Sequence, residues 1–201
     1  LALGVSIPLW SYAIARYLGK FSVADAAALA AHYGSVSAVT FIATQTFLQS
    51  LNVPFEGFAP TLVAILEIPA IVIALLIAQS RLTEAKSSWG MVLHEIFAGK
   101  SIRLLLGGVL IGFLVGKQGL QEVAPLFVDP FKGVLSLFLL ELGMVAARRF
   151  RDLRSVGGFL LVFGTVLPVL HGLLGIWLAQ LAGMSAGGAT ILAVLAASAS
   201  Y

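Results

Sequence analysis

The chain has 201 residues, 60% of them hydrophobic and only 10% charged, with a formal net charge of +3 and no cysteine. Soluble domains carry roughly 25% charged residues, so a water-exposed globule is excluded and a bilayer is the solvent that suits this composition. The missing cysteines exclude disulfides, thiolate chemistry and Cys-based metal sites.

Seven apolar segments follow one another, at 1–18, 23–48, 58–79, 102–117, 131–147, 156–182 and 186–201. Each is close to the roughly 20 residues that cross a bilayer as a helix, so the fold class expected is an all-α polytopic membrane protein of about seven spans. The breaks carry turn residues: Gly19-Lys20, the 52–57 stretch Asn-Val-Pro-Phe-Glu-Gly, a polar stretch at 79–100, Ala124-Pro125 with Asp129-Pro130, and the basic run 148–154. Residues 1–18 lack the basic flank and cleavage site of a signal peptide. The chain opens without methionine and stops at Tyr201 inside an apolar run, which reads as part of a longer protein.

If the loops alternate sides, Arg16, Lys20, Arg81, Lys86, Lys100, Arg103, Arg148, Arg149, Arg151 and Arg154 share one side, leaving only Lys117 and Lys132 of the 12 basic residues on the other. That bias predicts an inner-membrane, multi-pass topology with the 81–101 loop and the 148–154 run in the cytoplasm.

Spans one and two match spans six and seven. Pro8 in the first and Pro168 in the sixth are each followed by a span that opens after a serine and reaches a Ser-x-Ser run. Ser22 precedes Ser35-Val36-Ser37 by thirteen residues, and Ser185 precedes Ser198-Ala199-Ser200 by thirteen. Five spans separate the copies, and an odd number reverses direction, so the repeat is inverted, as in many secondary transporters. The expected organisation is 1–80 as the substrate-carrying core of the first repeat and 81–101 as a linker. Residues 102–147 are then scaffold or gate helices, and 156–201 the core of the second repeat.

Ser35, Ser37 and Thr40 in "HYGSVSAVT", with Ser198 and Ser200, form the main constellation of polar groups. At ~1.5 Å per residue Ser198 lies roughly 20 Å beyond Ser185, near the middle of a hydrocarbon core about 30 Å thick. Unwinding at Gly34-Ser35 or Ala197-Ser198 would free backbone N–H groups and hydroxyls for a small anion and carbonyls for a cation. The structural alternative is close helix packing, with each hydroxyl bonded to its own helix.

Glu67 sits inside the third span, just before Ile68-Pro69, where a carboxylate marks an ion or proton path or, protonated, a bond to a neighbouring helix. Glu141 lies near Arg148 and Arg149, where snorkelling or pairing serves equally well. His171 is expected in a hydrogen-bonded packing role, while His32 stands one turn before Ser35. Gly108, Gly112 and Gly116 read as a helix-packing ladder. His94-Glu95 has no second histidine to complete a zinc helix, and no P-loop, dinucleotide fingerprint or nucleophile elbow occurs, so neither catalytic nor metal residues are assigned and no enzyme is expected. The basic run is too short to suggest a nucleic-acid partner.

Taken together, "YGSVSAVT", "ILEIPAIVIALLIA", "PLFVDPFKGVLSLFLLELGMVAARR", "LPVLHGLLGIWLAQ" and "ILAVLAASASY" resemble the sodium-dependent bicarbonate transporter family, the type first met in cyanobacterial carbon concentration. The resemblance runs from about residue 5 to residue 201. It implies a full protein of ten spans in two inverted five-helix repeats, of which these are spans three to nine. It also implies bicarbonate and sodium between two serine stretches, with Ser37 and the backbone of Ala38 and Val39 facing the substrate together with Ser198 and Ser200, and the constellation above adds Ser35 and Thr40 to the substrate-binding set. Cation coupling would fall to Glu67, Ser37 and Ser200, with sodium as the coupling ion and no other cofactor. A homotrimer and a PII-like cytoplasmic regulator belong to the same expectation. The chain departs from the cyanobacterial pattern twice, with Ser37-Ala38-Val39 where that pattern has Ser-Gly-Ser and Tyr201 where it has Asp. Competing classes are a carrier of another small anion with different coupling, a non-transporting receptor or assembly subunit docking a partner on the 81–101 loop, and an intramembrane enzyme using Glu67 and a histidine.

Overall fold

A computed structural model describes residues 1–82, 90, 100–150 and 157–199, and every regular element among them is helical. The helices are α1 (Ala2–Ala13), extended by a π-helical turn (Ile14–Leu18), α2 (Val23–Gly34), α3 (Ala38–Ser50), α4 (Ala59–Leu82), α5 (Lys100–Phe127), α6 (Phe131–Arg148), α7 (Gly157–Leu181) and α8 (Ala186–Ala197). Each of the seven apolar segments is therefore helical over most of its described residues, and the second is split in two. Among the described residues, Val23–Ser50 taken across its break and Gly157–Leu181 are long and apolar enough to cross a membrane. Most of the 81–101 linker and Arg151 and Arg154 lie outside the described residues.

The chain divides into two compact units, one of Leu1–Ile96 with Phe159–Tyr201 and one of Phe97–Gly158. In the first, Leu3, Ile7, Phe41, Leu48, Leu66, Ile191 and Leu195 are buried together. Inside a bilayer, apolar side chains gain little by leaving lipid for protein, so helices associate through close packing, which small residues permit. α2 accordingly buries Ala26, Ala27, Ala30 and Gly34. A β-carbon on Gly4 of α1 would stand 3.2 Å from the Leu66 carbonyl of α4, and one on Gly175 of α7 only 2.8 Å from the Ala193 Cα of α8. Glycine is required at the second of these approaches.

Local chemistry sets the ends. Ser22 caps α2 by accepting the Asp25 N–H at 3.1 Å while its hydroxyl donates to the Asp25 carboxylate at 2.6 Å. Ser185 caps α8 the same way, accepting the Gly188 N–H at 3.1 Å. Two residues before each of these serines stands a residue in the left-handed region, Lys20 at φ 56° and Gly183 at φ 68°. Gly183 ends α7 in a Schellman motif, with Met184 N–H on the Ala179 carbonyl at 3.0 Å and its own N–H on Gln180 at 3.1 Å. Asn52, at φ 54°, does the same for α3.

In the second unit, α5 is broken at Gly116, where φ is 64° and ψ is −165°. The glycine ladder differs here from its reading as a packing face. A β-carbon on Gly108 or Gly112 would meet nothing within 4 Å among the described residues, and Gly116 serves as a backbone joint instead. Large apolar side chains point outward from these helices, Phe113 being 84% and Leu104 77% exposed, as lipid-facing residues are.

Candidate functional site

α2 and α8 are each 12 residues long, and each ends on a serine in extended conformation. Ser35 closes α2 at φ −83°, ψ 142°, and Ser198 closes α8 at φ −75°, ψ 154°. Residues 35–37 are non-helical, and Ser37, at φ −96°, ψ 116°, becomes the N-cap of α3. The Ser37 hydroxyl accepts the Thr40 N–H at 3.2 Å, and the Thr40 hydroxyl donates back to the Ser37 carbonyl at 2.9 Å.

The two breaks touch. The Ser37 N–H donates to the Ser198 hydroxyl oxygen at 3.2 Å, and that hydroxyl donates in turn to the Leu195 carbonyl at 2.8 Å. Ser35 and Ser198 are buried, Ser37, Val39 and Thr40 half-buried, and Ala38 exposed. Ser200 lies outside the described residues.

This junction has a directional charge pattern. The first intrahelical bond of α3 runs from Phe41 N–H to the Ser37 carbonyl, so the N–H groups of Ala38 and Val39 precede the ladder and have no acceptor within their helix. With the helix dipole behind them they favour negative charge. The last carbonyls of α2 and α8 form the opposite ends, rich in lone pairs and attractive to a cation.

Glu67 is buried in α4, two residues before Pro69. Pro69 has no N–H to give the Ile65 carbonyl, so α4 lacks one ladder bond beside Glu67. No hydrogen bond joins Glu67 to Ser35, Ser37 or Ser198 among the described contacts. His32 and Glu141 are exposed. No group of three or more His, Cys, Asp or Glu among the described residues is placed to hold a metal ion.

Three features have little or no local signal in the sequence. The His171 imidazole, 1% exposed, accepts the Trp10 indole N–H at 2.7 Å, and Tyr33 meets it edge-on. Ser11 is wholly buried with a hydroxyl that has no partner among the described residues. Glu56, in the turn before α4, accepts the Ser185 N–H at 2.5 Å, which holds its carboxyl below the usual carboxylate range. A β-carbon on Gly188 would collide with that carboxylate and one on Gly187 with the Pro54 carbonyl, so the Gly187-Gly188 pair makes room for the loop. Only this pair of glycines, just inside an apolar span, hints at the contact in the sequence.

The sequence profile of the Na+-dependent bicarbonate transporter superfamily matches residues 1–201. No curated protein sequence matches the chain.

Proposed function

The chain belongs to the Na+-dependent bicarbonate transporter superfamily, and on that premise we propose that it is a membrane secondary transporter taking up bicarbonate with sodium. The observation that carries the site is the bond from Ser37 N–H to the Ser198 hydroxyl, which brings the end of α8 to the start of α3. In this reading the anion sits against the N–H groups of Ala38 and Val39 and the hydroxyls of Ser35, Ser37, Thr40, Ser198 and Ser200. Sodium is held by the carbonyl ends of α2 and α8 together with Ser37 and Ser200, with Glu67 as the buried acid of the cation path.

The matching halves support an inverted repeat. Left-handed residue, capping serine, 12-residue helix and extended serine recur in the same order and spacing at 20–35 and 183–198. The two compact units suit a substrate-carrying core moving against a scaffold, in the bacterial inner membrane with the 81–101 loop and the 148–154 run cytoplasmic. A homotrimer and a PII-like cytoplasmic regulator accompany the same reading.

A second reading, transport of another small anion with different coupling, is favoured by Ala38-Val39 and Tyr201, which replace hydroxyl and acid groups of the cyanobacterial pattern. Thermal unfolding of the full-length protein separates the two. Bicarbonate should raise the midpoint only when sodium is present, by the linkage of ligand to the folded state. A rise with another anion but not with bicarbonate would replace the substrate, and a sodium-independent rise would remove the coupling.

A further inference from the structure

Trp10 and His171 carry an inference that does not depend on which anion is carried. An indole N–H can only donate, so the ring nitrogen it reaches at 2.7 Å, Nε2 of His171, must present a lone pair. The imidazole is therefore neutral with its proton on Nδ1, and Nδ1 is buried without a partner among the described residues. A doubly protonated ring would set N–H against N–H, with no acceptor on either side. Protonation of His171 and the Trp10 contact exclude each other.

We propose that Trp10 and His171 form a proton-operated clasp between α1 and α7. Its position gives it leverage. Trp10 lies two residues after Pro8, and His171 three after Pro168, each just beyond the proline inside its helix. Tyr33, two residues before Ser35, meets the His171 ring edge-on at 6.3 Å and the Phe163 ring at 5.1 Å. Gly172, next to His171, packs where a β-carbon would lie 3.5 Å from the Ala197 β-carbon, one residue before Ser198. The clasp thus stands beside both serine breaks. A groove of about 200 Å³, lined by Trp10, Ile14, Leu167, Leu170, His171 and Leu174, gives the indole room to turn out when the contact is lost.

α7 has no other titratable side chain, and α3 and α8 have none. Tyr33 is the titratable group that faces His171 from α2, whose Asp25 is bonded to Ser22 and whose His32 is exposed. α1 and its π-helical turn add Tyr12, Arg16 and Tyr17, of which Arg16 donates to the Phe21 carbonyl, and α4 carries Glu67 and Arg81. Among the described residues no carboxylate is paired with His171.

The test is imidazole and indole ¹⁵N NMR on the full-length protein in lipid nanodiscs, with His171 assigned by its loss in His171→Gln. At neutral pH the wild type should show His171 protonated at Nδ1 alone and a hydrogen-bonded Trp10 indole. On acidification the imidazolium signal should rise in step with a shift of the Trp10 indole to its unbonded position. His171→Gln keeps an acceptor oxygen, so its Trp10 indole should stay bonded and stop responding to pH. Trp10→Phe should lose the exclusive Nδ1–H form. A wild-type proton on Nε2, an imidazolium that leaves the indole signal unmoved, a pH response surviving in His171→Gln, or an unchanged tautomer in Trp10→Phe would each overturn the clasp.

Discussion

The Ser37 backbone N–H and the Ser198 hydroxyl, 161 positions apart, meet at 3.2 Å where α8 ends and α3 begins. A backbone donor at a helix start has no partner in its own ladder, and here the far end of the chain supplies one. The same N–H lies at the positive end of α3, so the contact also marks where the fold gathers unspent polarity among apolar side chains.

Ser37→Ala removes the hydroxyl that caps α3 through Thr40 and leaves the Ser37 N–H in place. Loss of an N-cap costs about 1 kcal/mol, so the midpoint of thermal unfolding should fall modestly. Transport should fall far more than stability does. A modestly lowered midpoint with strongly reduced uptake is the expected pair of results, and normal uptake would leave Ser37 a structural cap only.

Gly175 and Gly172 make a paired prediction on α7. A β-carbon at Gly175 would lie 2.8 Å from the Ala193 Cα and 2.9 Å from the Leu192 carbonyl, so α8 must move to admit it. Gly175→Ala should destabilise by about 1–3 kcal/mol, as overpacking does. At Gly172 the nearest atoms would be 3.5 and 3.6 Å away, an ordinary contact, and Gly172→Ala should be tolerated. Thermal unfolding of the two variants side by side decides this, and equal losses would contradict the observed approach of α7 and α8.

Gly183→Ala tests the end of α7 independently. At φ 68° a β-carbon meets backbone strain whatever the space around it. The expected cost is about 1 kcal/mol, read as a lowered unfolding midpoint with the junction chemistry intact.

Glu56 predicts a pH dependence with a definite sign. The Ser185 N–H favours its charged form, so the folded carboxyl titrates below the ordinary range. The stabilisation is full above the ordinary carboxylate range, where the unfolded chain is also ionised. It is lost as pH falls through that range to the depressed folded value. Glu56→Gln should therefore be less stable than the wild type at neutral pH and decline less steeply on acidification. Parallel declines in the two proteins would show that the Ser185 contact adds nothing to the pH response.

The sequence made legible what local chemistry decides. Ser22 and Ser185 announce helix starts, since a hydroxyl followed by free N–H groups is a short-range signal. The equal thirteen-residue intervals to Ser35 and Ser198, read as a repeat, correspond to two helices of 12 residues each. The interruption at 35–37 followed from small and hydroxyl residues bunched inside an apolar span. Contacts between distant segments left no such trace. Nothing near Trp10 names His171, and nothing near Glu56 names Ser185, since both pairings depend on how helices stack. Gly116 was misleading for a different reason. Spacing by fours looks the same whether a glycine admits a neighbouring helix or supplies a left-handed joint, and only the backbone angles tell these apart. The expected role of His171 was closer, a hydrogen-bonded packing residue, although its donor was not foreseeable.

The most direct test of the central claim is uptake of labelled bicarbonate by the full-length protein in proteoliposomes, with and without an inward sodium gradient. Wild type, Ser37→Ala and Ser198→Ala should be compared at equal reconstitution. The account predicts sodium-driven uptake in the wild type and a strong reduction in both variants. Uptake that both substitutions leave unchanged would contradict the placing of the substrate between Ser37 and Ser198.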